Sequence, residues 1–321
     1  MHYRALGTTG LQVSEIGFGA WGIGGDAGGA IAYGPADRDE SIGALEEALE
    51  RGITFYDTSD FYGFGRSETL IGDAFFDRRS QVVIATKAGM LPDGTLDFSA
   101  RHIRESAAAS LARLRTDHID LYQLHSAPIV AISDETIEAL ESLKREGIVK
   151  AFALSARSPQ EAKLGIERFG FESVQVNFNL LDPRAVECGL FELAQKKAVG
   201  VIVRTPLCFG FLTGRYAASD AFHENDHRRG WDRAQLERWA SANALFSALI
   251  DEVPGQTPAQ FALRYCLSHP CVSTAIPGML TAAQVRENSA ASAMQPLDTA
   301  MRERVDETCR RHEFFVAKPQ A

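Results

Sequence analysis

One pattern constrains this 321-residue chain more than any other: short apolar, β-rich runs alternate with amphipathic helical segments about eight times. The runs are EIGFGAW (15–21), GITFYDT (52–58), QVVIATK (81–87), HIDLYQLH (118–125), IVKAFALS (148–155), ESVQVNFN (172–179), VGVIVRTP (199–206) and VSTAIPG (272–278). Several are apolar almost throughout, as strands buried on both faces are. Between them, Ile42, Leu45 and Leu49 recur at helical spacing before Gly52, and Ile103, Ala107, Leu111 and Leu114 do so after Ser99. Ser133 is placed to cap a helix that turns Ile137 and Leu140 inward and ends in Lys144 and Arg145 before Gly147. TPAQ (257–260) reads as a capping box with proline at the first helical position. Eight such units in this length specify an α/β chain folded as a closed (β/α)8 barrel, not an open sheet. A hairpin over about residues 3–16 caps the barrel bottom, and the polar stretch 213–240 inserts after the seventh strand. No linker divides the chain, so residues 1–321 read as a single domain.

Composition narrows the partners. A net charge of −9 and a pI near 5.4 argue against nucleic acid or an anionic membrane as the main partner. No apolar run reaches transmembrane length, and the opening MHYRALGTTGLQVSE lacks the charged-then-apolar order of a signal segment. Cys188, Cys208, Cys266, Cys271 and Cys309 are odd in number and irregular in spacing, matching neither a disulfide framework nor a paired metal pattern. The expectation is a cytoplasmic protein with reduced thiols and no bound metal. The sequence carries no reading of oligomeric state.

Two familiar motifs fail on context. GFGAWG (17–22) matches GxGxxG, but IGGDAGGAIAYGP follows where a dinucleotide-binding helix should open. A glycine-rich loop with backbone close to something bound fits better. HENDH (223–227) matches HExxH, yet its surroundings, SDAFHENDHRRGWD, are polar on every side and offer no face to pack a helix. A solvated loop is the expectation there, with zinc peptidase chemistry as the competing reading.

A third constellation carries chemistry. In such barrels, reactive groups stand at the C-terminal ends of several strands. The second strand ends at Asp57 with Tyr62 five residues on, the third ends in Lys87, and the fourth ends in His125. Singly, these read as a turn cap, a loop anchor, a snorkelling lysine and a buried histidine. Together they place an acid, a phenol, an amine and an imidazole on one rim. That set suits reversible carbonyl reduction. Hydride addition to a carbonyl carbon leaves charge on the oxygen, and Tyr62 can supply the proton. A free phenol, with a pKa of about 10, is a weak acid for this work, and a neighbouring cation lowers that pKa. Lys87 is the candidate cation, Asp57 its anchor, and His125 a hydrogen-bond partner for the substrate oxygen or for Tyr62.

With these residues in view, the chain resembles the aldo-keto reductases along nearly its whole length. DTSDFYGFGRSE, TKAG, LHSAP, TPLCFGFLTGRY and IPGMLTAAQVREN follow the family's signatures in order, closest to bacterial members with an arginine ending strand seven. The resemblance implies an NAD(P)H-dependent oxidoreductase acting on a small carbonyl or hydroxyl compound, with the tetrad Asp57, Tyr62, Lys87 and His125. It also implies an extended dinucleotide held without a Rossmann domain. By the resemblance, the cofactor would meet Ala20, Trp21, Asp57, Ser155, Gln175, Arg204, Thr205, Leu207, Gly210, Leu212, Thr213, Gly214 and Arg215. Gly278, Leu280, Thr281, Gln284 and Asn288 would complete the set, with Arg286 nearby.

Three departures stand out. Ala156 replaces the asparagine that usually follows Ser155, and Arg204 stands where many members stack an aromatic ring. Met279 and Leu280 replace the Lys or Arg that grips a 2′-phosphate. NADPH remains the expected cofactor, with NADH close behind. Trp21, Phe61, Tyr62, Phe64 and Phe209 are the expected substrate wall, which the 213–240 insertion and the tail RRHEFFVAKPQA could cover. Competing readings are a sugar or alcohol dehydrogenase and a cofactor-sensing accessory protein without turnover.

Overall fold

The structure, a computed structural model, describes residues 1–29, 31–217 and 219–316. Eight parallel strands run in chain order: β3 (Phe18–Gly19), β4 (Phe55–Asp57), β5 (Val83–Ala88), β6 (Ile119–His125), β7 (Val149–Ser155), β8 (Ser173–Asn177), β9 (Gly200–Arg204) and β10 (Val272–Ile276). The first and last meet through bridges Ile16 to Ala275 and Gly19 to Gly278, and Gly17 N donates to Ala275 O at 2.8 Å. The barrel therefore closes, as the eightfold alternation predicts. Every strand lies inside the run assigned to it from sequence, except that β5 extends one residue past its run, to Ala88.

The helices are α1 (Arg38–Glu50), α2 (Arg66–Phe75), α3 (Ala100–Leu114), α4 (Asp134–Arg145), α5 (Pro159–Phe169), α6 (Arg184–Glu187) and α7 (Leu190–Lys197). They continue with α8 (Arg233–Ser241), α9 (Asn243–Ile250), α10 (Pro258–Leu267), α11 (Ala282–Ala290) and α12 (Thr299–Arg310). Their starts are set by side-chain caps. Ser99 accepts from His102 N, and Ser133 and Thr257 form complete capping boxes with Thr136 and Gln260. Thr281 caps α11 through Gln284 N, but the Gln284 side chain reaches past Thr281 to accept from Leu280 N at 2.7 Å. That box is therefore half formed, and Gln284 instead fixes the backbone entering the helix.

Strand parity sorts the side chains. Tyr56, Ile84, Tyr122 and Leu124 face the helices, while Phe55, Ala85, Leu121, Ala151, Ala153, Ile202 and Ile276 fill the barrel. The N-terminal hairpin, β1 (Tyr3–Ala5) with β2 (Gln12–Ser14), plugs the bottom by adding Leu6 and Val13 to that inner cluster. Arg4 holds it in place, pairing with buried Glu15 at 2.7 Å and donating to the carbonyls of Leu267 and Val272.

The insertion is not the featureless loop its polarity suggested. It holds a 3₁₀ turn at His227–Gly230 and then α8. It crosses to the glycine-rich loop after β3: His227 N donates to Ala32 O at 2.9 Å, and Asn225 Nδ2 to Asp26 Oδ2 at 2.8 Å. The tail docks on α8, where Gln235 Nε2 donates to Phe314 O and Arg238 Nη1 to Phe315 O. Residues 317–321 of that tail, and Ala218 in the insertion, lie outside the described residues.

One glycine tests the plug. Gly7 has φ of +56°, and a Cβ there would fall 2.3 Å from Glu172 O and from Gly200 N. Both contacts are rigid backbone. Gly7→Ala is expected to cost about 2–3 kcal/mol in urea unfolding, whereas Gly10→Ala, with open space around it, should show only the smaller cost of its φ of +78°.

Candidate active site

The rim is organised by one buried ammonium. Lys87 is fully buried, and its Nζ donates to Asp57 Oδ1 at 2.5 Å, Thr58 O at 2.7 Å and Tyr62 Oη at 3.2 Å. Three acceptors use all three N–H bonds of the ammonium. The neighbouring Asp57 raises the lysine pKa against the opposing effect of burial, so the amine stays charged. The other carboxylate oxygen, Asp57 Oδ2, accepts from Gln123 Nε2 at 2.8 Å and Gln175 Nε2 at 2.7 Å.

His125, on the next strand, is 7% exposed. Its Nδ1 lies 3.0 Å from Ser59 Oγ, and its ring stands edge-on to Tyr62 with centroids 5.8 Å apart. Burial, with the charges of Lys87 and Arg204, holds its pKa well below the ordinary histidine value, so the ring is neutral. The structure thus brings Asp57, Tyr62, Lys87 and His125 together as the sequence places them. One expectation changes sign. Lys87 does pull the Tyr62 pKa down, but burial pushes it up by more, and Asp57 adds to the rise. The net shift is upward, because the lysine charge is shared with a carboxylate while desolvation of the phenol by its protein neighbours is the larger effect.

Polar groups of the following strand ends are linked to this core. Ser155 Oγ donates to Gln175 Oε1 at 3.2 Å and accepts from Arg204 Nη1 at 2.8 Å. Arg204 also donates to Asn177 Oδ1 at 2.6 Å and to the Ala156 carbonyl at 2.8 Å. Its guanidinium is tied down by three acceptors across the ends of β7, β8 and β9.

A cleft of about 250 Å³ extends from this rim. Gly22, Tyr33, Thr205, Leu207, Phe209, Gly210, Thr213, Arg215, Gly278, Leu280, Gln284 and Asn288 line it, together with Arg228 and Glu287. The chain after β9 reaches its wall through left-handed backbone at Thr205, Cys208, Phe209 and Gly210. Gly210 has φ of +94°, and a Cβ there would strike the Tyr216 ring at 2.8 Å.

The Aldo/keto reductase family pattern matches residues 15–310. The chain belongs to the aldo-keto reductase family. The oxidoreductase YqkF of Bacillus subtilis, named as uncharacterized, is 34% identical over 293 residues, 90% of each chain. The aldo-keto reductase AKR11C1 from Bacillus halodurans, in its holo form, superposes with a TM-score of 0.78 at 32% identity over 96% of both chains. The glycerol dehydrogenase AKR11B4 from Gluconobacter oxydans superposes with a TM-score of 0.81 at 27% identity, covering 99% of this chain and 98% of that one.

Other sequence-chosen residues of this aldo-keto reductase fall in different places. Ala20 is buried beside the tetrad, its N–H donating to Asp57 O at 2.9 Å. Leu212 is fully buried beneath the cleft wall, and Leu212, Gly214 and Thr281 do not line the cleft. Trp21 joins Tyr33 and His227, with centroids 5.1 and 4.6 Å away, and Phe209 packs on Trp231 at 4.8 Å. Phe61 and Phe64 line a second cleft of about 360 Å³ on the α3 side, and the Phe61 ring also stands edge-on to His125 with centroids 6.2 Å apart. Segment 223–227 is a turn, not a helix, and His227 Nδ1 faces the Ala32 carbonyl at 2.9 Å. No metal-holding cluster of His, Cys, Asp or Glu occurs among the described residues.

Sequence reasoning missed Gln123, Ser59, Asp60, Asn177, Tyr33, Arg228 and Glu287. Gln123 was within reach: it stands two residues before His125 and so points to the same side of its strand. Arg228 lay inside the polar insertion and had no local signal.

Removing one partner of a buried pair leaves an uncompensated charge. Lys87→Met is therefore expected to destabilise the protein by about 3–5 kcal/mol in urea unfolding. The Lys87→Met/Asp57→Asn double variant is expected to recover most of that loss.

Proposed function

We propose that this chain is an NAD(P)H-dependent oxidoreductase that interconverts small aldehydes or ketones with their alcohols, with Asp57, Tyr62, Lys87 and His125 as its working set. The observation that carries the reading is the single ammonium of Lys87 held between Asp57 Oδ1 and Tyr62 Oη. When bound, the nicotinamide supplies a hydride from its C4 to the carbonyl carbon. Tyr62 delivers a proton to the carbonyl oxygen, and Lys87 stabilises the phenolate left behind. The upward pKa shift of Tyr62 keeps the phenol protonated near neutral pH, the state that reduction requires. Oxidation of an alcohol needs the phenolate, so that direction gains as pH rises. His125 hydrogen-bonds the substrate oxygen. Trp21, Phe209 and the aromatic residues around them exclude water from this end of the cleft. The resemblance to a glycerol dehydrogenase supports keeping alcohol or sugar oxidation as the physiological alternative.

The cleft residues fit a dinucleotide. Gly22, Gly210 and Gly278 keep Cβ atoms out of it, and the two cations lining it, Arg215 and Arg228, are already paired with Glu287 and Asp226. Ser155 and Gln175 would meet the carboxamide end and Arg204 would flank the ring, although all three already hold protein partners. At the α11 end the ion pairs favour NADH more than the sequence suggested. Arg215 is paired with Glu287, and Arg286 with Glu47 at 3.4 Å, while Gln284 is neutral. Met279 is fully buried. A 2′-phosphate would therefore meet a carboxylate and an amide with no uncommitted cation among the described residues lining the cleft. The five unpaired cysteines support a reducing cytoplasmic setting. No helix among the described residues is long and apolar enough to cross a membrane. We take the whole chain as one functional unit.

Tyr62→Phe is expected to lower turnover with an aldehyde about 10²–10⁴-fold while leaving cofactor affinity, read by tryptophan quenching, nearly unchanged. Turnover that barely moves would overturn the assignment of the acid, and no turnover in the parent with any carbonyl or alcohol would favour the accessory-protein alternative. For the cofactor, NADH is expected to bind at least as tightly as NADPH. Gln284→Arg should strengthen NADPH alone by about tenfold, or about 1.4 kcal/mol. An equal gain for both cofactors would show that Gln284 does not face the 2′ position.

A further inference from the structure

Behind the tetrad lies a polar chain that the reaction described above does not use. Ser59 follows Asp57 by two residues and is fully buried. Its Oγ lies 3.0 Å from His125 Nδ1 and 3.1 Å from Asp60 Oδ1. The other oxygen, Asp60 Oδ2, accepts from Ser106 Oγ of α3 at 2.8 Å. Asp60 and Ser106 both line the second cleft, which is walled by Phe61, Phe64 and Met90. A continuous run of hydrogen-bonding atoms thus leads from the second cleft, through one carboxyl and one hydroxyl, to Nδ1 of His125.

A neutral imidazole has one N–H, and a hydroxyl has one proton to give. These counts couple the two ends. With Asp60 ionised, Ser59 donates to the carboxylate and accepts from His125 Nδ1–H, which leaves Nε2 bare. With Asp60 protonated, Asp60 donates to Ser59, Ser59 donates to Nδ1, and the imidazole proton must sit on Nε2. The two states differ by one proton, and His125 is neutral in both. Passing from the first to the second, Nε2 takes up a proton, Nδ1 hands its own to Ser59, and Ser59 hands its own to Asp60. No charge appears on the ring at either end of the change.

We propose that Ser59 and Asp60 form a relay that sets which nitrogen of His125 carries its proton, and so whether that ring can donate to the substrate oxygen. The two are positioning residues: neither touches the reacting atoms, and both act through His125. The protonated relay presents Nε2–H, which can donate to the carbonyl oxygen in reduction and to the alcohol oxygen in oxidation. The ionised relay presents a bare Nε2 that can donate to neither. The activity of the site is thereby tied to the acidity of the second cleft.

The surroundings place the switch in a useful range. Burial pushes the Asp60 carboxyl up to about 6, Ser106 opposes that shift, Glu68 of α2 adds to it, and Arg113 of α3 opposes it. Glu68 is itself held by Arg113 at 2.6 Å and by Thr86. His102 and Glu105 of α3 also face this cleft, and from β5 the nearest contact is the Lys87 carbonyl, 3.5 Å from Asp60 N. On the other side, Lys87 and Arg204 oppose any charge on His125, so the ring answers by moving its proton and not by gaining one.

The inference rests on the reading of His125 as the group that meets the substrate oxygen, but its first test needs no turnover. In the protein labelled with ¹⁵N-histidine, the ring-nitrogen resonances of His125, assigned by loss in His125→Asn, report the tautomer directly. Between pH 5 and pH 8 the proton should move from Nε2 to Nδ1 in the parent, with a midpoint near 6. Ser59→Ala and Asp60→Asn should each abolish the movement, while Ser59→Thr should keep it. The same nitrogen protonated at both pH values in the parent, or a switch that survives in Ser59→Ala, would overturn the relay. In kinetics, the decline of reductive kcat/KM above the midpoint should flatten in Asp60→Asn, and an unchanged profile would likewise count against the proposal. Loss of all turnover in the parent would instead defeat the proposed function, with the tautomer measurement still deciding the relay.

Discussion

Everything at the top of this barrel depends on a charged lysine buried without water. A fully buried ammonium is tolerated only when every N–H has an acceptor and a counter-charge is close. Lys87 meets both conditions through Asp57, Thr58 and Tyr62. Asp57 must then be satisfied in turn, and its second oxygen draws in Gln123 and Gln175. Gln175 engages Ser155, Ser155 engages Arg204, and Arg204 engages Asn177. One buried charge thereby links side chains from β4 through β9. Directly below, the inner face returns to Phe55, Leu121 and Ile202, so the network lies between an apolar floor and the open cleft.

This linkage explains why the phenol behaves against simple expectation. A lysine close to a tyrosine usually implies an activated phenolate, yet this lysine is already partnered by a carboxylate at 2.5 Å and reaches the phenol only at 3.2 Å. Its field at Tyr62 is partly cancelled, and burial decides the sign. The resting site therefore stores a proton on Tyr62 instead of losing it. A cation positioned to stabilise the phenolate as it forms lowers a barrier without discharging the acid in advance.

The legible and illegible parts of this site divide along a physical line. Asp57, Lys87 and His125 stand at strand ends, and strand ends are marked in the sequence by apolar runs that stop. The helix caps Ser133 and Thr257 were equally legible, because a cap acts within four residues. Groups that act across the barrel were harder to find. Gln123 looks like an interruption in an apolar strand until its bond to Asp57 is seen, and the sequence does not show that Phe61 and Phe64 also line a second cleft on the α3 side. The insertion misled most. Its polarity reads as solvated loop, but Asp226 and Arg228 are both buried and paired at 2.6 Å. Arg228 lies over the rings of Tyr33, Tyr216 and Phe222 at 4.4–4.8 Å. Charge that is neutralised locally and faced by aromatic rings leaves no hydrophobic signature in the sequence.

The glycine-rich loop after β3 and this insertion explain each other. GFGAWG is followed by a stretch too rich in glycine to form a helix, and the chain instead runs across the barrel top. There its backbone carbonyls are available, and the insertion uses them: Ala32 O accepts from both His227 N and the imidazole, while Ile31 O accepts from Trp21 Nε1. The contact groups Trp21, Tyr33 and His227 into one aromatic cluster, of which Tyr33 lines the first cleft together with Arg228. Two loops far apart in sequence are thus each incomplete alone. A loop with free carbonyls needs a donor, and a buried arginine needs rings and a carboxylate. Part of the first cleft's wall is formed where those needs are met together, so changes in either loop alter the shape of that wall while the lysine-centred network at the strand ends stays fixed.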